Sequence, residues 1–214
     1  MFPELITLLN APVATVFAVP VSWAEALGFV TGAWCVWLVA KQNLWSWPIG
    51  IANNLMFLLL FATAGLYADS GLQVVYICLA IYGWWAWMFG GQGQGALAVS
   101  SMSQQTALRL GAATVLATAA LYALLSGVTN SDVALWDSLT TALSLAATYA
   151  QCRKQLQCWW IWIAADLIYI PLYAYKGLWL TAILYVGFLL LCVNGYLSWR
   201  KSLAPAAPVL EAAA

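Results

Sequence analysis

The stretch Trp45–Asn54, WSWPIGIANN, has a counterpart 112 positions downstream, and the offset holds without a gap. Trp47 falls on Trp159, Asn54 on Asp166, Gly65-Leu66 on Gly177-Leu178, Gly83 on Gly195 and Trp87 on Trp199. Upstream of it, Lys41 falls on Arg153 and Glu25 on Asp137. Self-similarity of this kind requires two like units packed on each other. A polar residue in the middle of an apolar segment in each copy points to a transport pathway at the interface between the repeats.

The solvent for which this chain is built follows from its charge. Of 214 residues, 65% are hydrophobic and only 7% charged, against roughly 25% charged in soluble domains. Such a chain cannot cover a water-facing surface and reads as a polytopic membrane protein. Zero net charge with seven scattered basic residues excludes a nucleic-acid footprint. No histidine occurs, which removes the commonest general base and metal ligand. No catalytic residue, metal or cofactor is therefore expected. The segment GGQGQG at 90–95 lacks the lysine of a phosphate-cradling loop and follows an apolar segment. The five cysteines lie within or at the ends of apolar segments without a CxxC pair, and read as small buried hydrophobes rather than a disulfide framework.

Seven apolar segments follow in order: Ser22–Ala40, Trp47–Ala64, Gly71–Phe89, Thr106–Leu125, Ala134–Gln151, Trp159–Tyr175 and Trp179–Trp199. Each is long enough to cross a hydrocarbon core of roughly 30 Å at 1.5 Å per residue. Pro48 is tolerated in a first helical turn. Gly65–Ser70, with Asp69, reads as a tight connection, and 90–105 as a polar linker. The expected fold is an all-α polytopic membrane protein with seven transmembrane helices arranged 3+1+3. Residues 1–21 form an interfacial segment, broken by Pro3, Pro12 and Pro20. Residues 22–89 form the first three-helix repeat, 90–133 a linker with the fourth helix, 134–199 the second repeat, and 200–214 a tail. A single intervening helix restores the direction that three spans invert, so the two repeats run parallel. If the first span ends inside, Lys41, Arg109, Arg153, Lys154, Arg200 and Lys201 are cytoplasmic and Lys176 alone is outside. That asymmetry places the N-terminus outside and the C-terminus in the cytoplasm.

Asp166 stands near the middle of the sixth span, where a carboxylate costs about 2.5–3.5 kcal/mol on insertion scales and normally faces a protein interior or a water-filled cavity. Its repeat mate is Asn54. Trp159, Trp162, Asp166, Tyr169 and Tyr173 recur at three- and four-residue steps and share a helical face, as Trp47 and Asn54 do on the second span. A carboxylate within an aromatic stripe suits a flat, cationic, hydroxyl-bearing ligand, with rings supplying cation–π attraction. The plainer reading of that stripe is core packing. On the third span Gln73 and Tyr76 share a face. Gln73, and Asn194 on the seventh span, both donate and accept, as ribose or amide recognition requires. Asn53 is suited to bonding a neighbouring helix. Glu25 and Asp137, at the starts of spans one and five, suit helix N-termini.

The WSWPIGIANN stretch, the Gly-Leu-Tyr-Ala-Asp that follows it, the Tyr-Gly-Trp-Trp-Ala-Trp end of the third span and WWIWIAADLIYIPLY in the second half carry a resemblance. Across residues 22 to 201 the chain resembles the PnuC transporters of bacterial inner membranes. The resemblance implies facilitated diffusion of nicotinamide riboside, made one-way by phosphorylation inside the cell. It also implies kinship with the SWEET sugar transporters and a homo-oligomer, a trimer. Relatives that carry thiamine or other vitamins share much of the pattern. Two readings from other classes compete, a membrane enzyme acting on lipid and a receptor that binds without transporting. The missing histidine and nucleophile–base pair weaken the first.

Overall fold

The computed structural model describes residues 11–16, 19–63, 65–128 and 133–203. Seven helices carry it: α1 (Trp23–Ala40), α2 (Ser46–Thr63), α3 (Tyr67–Phe89), α4 (Gln104–Val128), α5 (Ala134–Cys152), α6 (Cys158–Tyr175) and α7 (Trp179–Lys201). Before them, β1 (Pro12–Val16) and β2 (Val19–Ser22) form a small antiparallel ribbon. The sequence offered only an interfacial segment there. A two-stranded ribbon accepts Pro12 and Pro20 because every strand in it is an edge. The first ten residues and the tail from 204 lie outside the described residues.

Helix ends repeat as faithfully as the residues that make them. α2 and α6 close on Gly65 and Gly177, with φ of 77° and 74°. Leu66 N–H then reaches back to Phe61 O at 2.8 Å, and Leu178 N–H to Tyr173 O at 2.8 Å. This is the Schellman closure, which needs a left-handed residue and so favours glycine. The ends of α1 and α5 close the same way on Gln42 (φ 54°) and Lys154 (φ 46°), with Asn43 N–H to Leu38 O at 2.9 Å and Gln155 N–H to Ala150 O at 3.0 Å. Helix α3 starts at Tyr67 rather than Gly71, so Asp69 sits in its first turn instead of a loop. There a carboxylate meets the positive end of the helix dipole.

Packing follows the repeat. Within each triplet the second helix lies against the first and third, and the triplets meet at two seams, α1 with α7 and α3 with α5. The 112-residue offset exchanges those seams, as a rotation between two like units would. Helix α4 packs chiefly on α5 and leaves Leu108, Val115 and Leu116 about 70% exposed. Five helices, α2, α3, α4, α6 and α7, are long and apolar enough to cross a membrane, and α1 adds the shorter apolar stretch Ala26–Ala40. Helix α5 is less apolar because it is the most enclosed. It buries Ser138, Thr140 and Ser144, and the hydroxyls of Ser138 and Thr140 bond to the carbonyls of Ala134 (2.7 Å) and Trp136 (2.9 Å).

The linker between the triplets is tied down where the sequence offered a plain polar connection. Leu97 N–H bonds to Trp87 O at 3.0 Å; Ser100 N–H bonds to Lys154 O at 3.0 Å and accepts, through its own carbonyl, Leu156 N–H at 2.9 Å. Gln157 bonds Met102 N–H through Oε1 at 2.8 Å and Ser101 Oγ through Nε2 at 2.9 Å. Lys154 is buried, donates from Nζ to Leu97 O at 2.9 Å and lies 4.5 Å above the Trp87 ring. Burial pushes its ammonium below the ordinary lysine value.

Candidate functional site

Two tryptophan–glycine contacts set the floor of the site. Trp47, in the first turn of α2, lies so close to Gly83 of α3 that a Cβ there would be 2.2 Å from its ring. Trp159 in α6 stands the same way on Gly195 of α7, at 2.3 Å. Any larger residue would displace the indole, which is why both repeats keep glycine at this step. The indoles continue into a row of four. Trp47 meets Trp87 edge-on at 5.1 Å, Trp159 meets Trp199 edge-on at 5.3 Å, and Trp87 and Trp199 approach to 5.8 Å across the middle. All four are at most 4% exposed. Trp87 Nε1 donates to Gln151 O in α5 and Trp199 Nε1 to Val39 O in α1, both at 3.0 Å. Each repeat thereby anchors its last helix to the first helix of the other, at the end of the bundle that carries Lys41, Arg153, Lys154 and Arg200.

Beside this row lies a cavity of about 420 Å³, within the range of small-molecule sites. Both repeats line it. From the first come Gly28, Gly32 and Cys35 of α1, Trp47, Asn53, Asn54 and Phe57 of α2, and Gln73 and Tyr76 of α3. From the second come Thr148 and Gln151 of α5, Trp159, Trp162 and Asp166 of α6, and Tyr185, Phe188 and Cys192 of α7. Asp166 lies halfway along α6, seven residues from Trp159. Asn54 lies seven from Trp47, so two turns, or roughly 10 Å, separate each polar residue from its tryptophan.

Asp166 is 4% exposed; the Cys192 thiol of α7 hydrogen-bonds its carboxylate, and its Oδ2 has no hydrogen-bond partner. Trp47 Nε1 and Trp159 Nε1, symmetry mates on the same cavity wall, are also buried and unpaired. A buried polar atom without a partner costs about 1–3 kcal/mol, so such atoms ask for a ligand or water that completes them. Here they comprise two donors and one acidic acceptor on a ring-lined wall. Around them, Trp162 Nε1 donates to Gln151 Oε1 at 3.2 Å and the Tyr76 hydroxyl pairs with Ser144. Asn53 donates from Nδ2 to Thr31 Oγ1 of α1, the helix-bridging use open to a membrane asparagine.

The residues marked in the sequence divide accordingly. Trp47, Asn54, Gln73, Tyr76, Trp159, Trp162 and Asp166 line the cavity. Tyr169 and Tyr173 do not. They stack on each other at 5.6 Å and on Tyr185 at 4.8 and 5.1 Å, backing the wall that Tyr185 presents. Asn194 is exposed and away from the cavity. Gly28, Gly32, Thr148, Gln151, Tyr185 and Phe188 escaped the sequence reading. Two of them carried a signal. Thr148 and Gln151 occupy the repeat positions of Val36 and Val39, so the copies differ in polarity where both face the cavity. Among the described residues, no group of three or more His, Cys, Asp or Glu side chains is placed to hold a metal ion.

The family described as the nicotinamide mononucleotide transporters matches residues 22–201. The chain belongs to that family. This member of the nicotinamide mononucleotide transporter family is similar to the riboflavin/roseoflavin transporter RibM of Streptomyces davaonensis, 26% identical over 211 residues, covering 96% of this chain and 98% of the relative. It is similar to the nicotinamide riboside transporter PnuC of Escherichia coli, 25% identical over 206 residues, covering 85% and 86%. A crystal structure of the vitamin B3 transporter PnuC shares its fold, with a TM-score of 0.64, 23% identity and coverage of 84% of this chain and 81% of that one. Multi-pass architecture, family and fold agree that this is a membrane transport protein.

Proposed function

We propose that this protein imports nicotinamide riboside across the bacterial inner membrane by facilitated diffusion, the cavity opening alternately to the two sides as the triplets rock. In this reading the N-terminus is outside, the C-terminus cytoplasmic and the protein a homo-oligomer, a trimer. The observation that carries it is Asp166: a buried carboxylate with one oxygen left unpaired, on a cavity wall of indoles, with no basic side chain among the lining residues. A pyridinium ring with a ribose and a carboxamide answers each feature. The ring stacks on Trp159 or Trp162 by cation–π attraction, its charge offsets Asp166, and hydroxyls and amide reach Asn54, Gln73 and the free indole N–H groups.

A second reading, riboflavin, is favoured by the similarity to a riboflavin/roseoflavin transporter. The two ligands differ in charge. Nicotinamide riboside is a cation and riboflavin is neutral, so Asp166→Asn should weaken the first severely and leave the second nearly untouched. Binding of each radiolabelled vitamin to purified wild-type protein, Asp166→Asn and Trp162→Ala measures this. Undiminished nicotinamide riboside affinity in both variants would remove these residues from the site. Thermal shift with nicotinamide riboside, riboflavin and thiamine ranks the ligands, because a bound ligand raises apparent stability.

A further inference from the structure

We propose that Gln151 selects the ligand's ring: its side-chain amide, held from one side by Trp162, donates to a carbonyl oxygen on a flat heterocycle stacked on that indole. The proposal rests on the functional reading above and deepens it, by naming the carbonyl as the group that is read.

The difference between the two copies of the repeat points to this residue. Gln151 takes the position of Val39, and Trp162 that of Gly50. The backbones of Gln151 and Val39 do the same work: Gln151 O accepts Trp87 Nε1 and Val39 O accepts Trp199 Nε1, both at 3.0 Å. The fold therefore needs no glutamine at this step, since valine anchors the other copy equally well. What Gln151 adds is an amide, and that amide meets Trp162, for which the first copy has no side chain at all. Both changes face the cavity.

The bond between the two side chains fixes the amide. Trp162 Nε1 lies 3.2 Å from Gln151 Oε1. An indole N–H only donates, so the amide oxygen must face it. Nε2 then turns to the other side with two N–H donors, which have no partner among the described residues. Satisfying one indole is too small a reason to place an amide here, because Trp47 Nε1 and Trp159 Nε1 on the same wall go without a partner. Thr148, one turn earlier on α5, does not take up the donors either; its hydroxyl donates to Ser144 O at 2.8 Å. Trp162 is also the indole placed to carry a ring. Trp159 is 1% exposed and wedged against Gly195 and Trp199, whereas Trp162 is only partly buried. A ring stacked on Trp162 can turn a carbonyl on its edge toward Nε2. The nicotinamide carboxamide presents such an oxygen, as does the pyrimidinedione ring of a flavin. The carboxamide nitrogen and the ribose hydroxyls are left for Asn54, Gln73 and the unpaired indole N–H groups.

Equilibrium binding of nicotinamide riboside and of N-ribosylpyridinium, the same cation without its carboxamide, to the purified full chain tests this. Wild type should hold the first at least about tenfold more tightly, as befits a hydrogen bond whose donor is otherwise left unpaired. Gln151→Met is close in volume and keeps the backbone carbonyl, so it should bind the two within about twofold of each other. The same is expected of Gln151→Leu, and thermal melts show that each variant keeps the fold. Equal affinity of wild type for the two cations would overturn the proposal and leave the functional reading standing. So would an undiminished preference in the variants, or equal loss of both ligands in a variant that melts with wild type. Wild type that binds neither cation but holds riboflavin, with Gln151→Met about tenfold weaker for it, would sink the nicotinamide reading and keep the carbonyl contact. Failure to bind any of the three would overturn both.

Discussion

Replacing Gly195 with alanine perturbs the structure at one methyl group. The added Cβ would lie 2.3, 2.4 and 2.5 Å from Cη2, Cζ2 and Cζ3 of Trp159, whereas unstrained carbon contacts are about 3.5–4.0 Å. The indole must therefore retreat by roughly 1 Å or more along its whole outer edge. It has nowhere to go cheaply: Trp159 is 1% exposed and edge-on to Trp199, whose N–H is tied to Val39 O. Overpacking of this kind costs about 1–3 kcal/mol, a fall of about 2 to 12 °C in Tm for a chain of this size. Tryptophan fluorescence during thermal unfolding in detergent measures it. In a Trp159→Leu background the smaller side chain makes room, so Gly195→Ala should cost at least about 1 kcal/mol less there, a coupling typical of residues in contact. Gly187, on the same helix, has nothing within 4 Å of its would-be Cβ, so Gly187→Ala should be neutral or stabilising by up to about 1 kcal/mol. A Gly195→Ala protein that melts with wild type, or a cost unchanged in the Trp159→Leu background, would refute the seating of this indole.

The repeat predicts that Gly83→Ala against Trp47 behaves like Gly195→Ala, with a Tm loss of similar size. Lys154→Met should lower stability by about 1–2 kcal/mol through loss of the bond to Leu97 O and the cation–π contact. Because burial lowers the Lys154 pKa in the folded state, the unfolded chain binds that proton more tightly. Wild-type stability should therefore rise with pH between the lowered folded value and the ordinary lysine value, and Lys154→Met should lose that rise in a pH series of melts. Asn194→Ala should leave nicotinamide riboside uptake within about twofold of wild type, since surface changes away from a site cost within about 0.5 kcal/mol; Trp162→Ala in the same assay should abolish most of it.

What the sequence by itself determined is the set of seven helices and the 112-residue correspondence between them. Segments of apolar residues as long as a bilayer is thick leave no alternative to helices, because in lipid every backbone polar group must be satisfied within the segment. Local chemistry also sufficed to place a connection at Gly65 and to single out Asp166, whose cost in an apolar span is large wherever the helix turns. Tertiary structure alone decided which face meets which. Tyr169 and Tyr173 share a helical stripe with Asp166, yet only Trp159, Trp162 and Asp166 reach the cavity, because Tyr185 of α7 comes between. Gly28 and Gly32 line the cavity only because α1 lies against Phe57 of α2 and Phe188 of α7; the second contact joins residues more than a hundred positions apart, and no local propensity speaks for either. Spacing along a helix fixes a direction around its axis. What stands in that direction depends on where the other helices have packed.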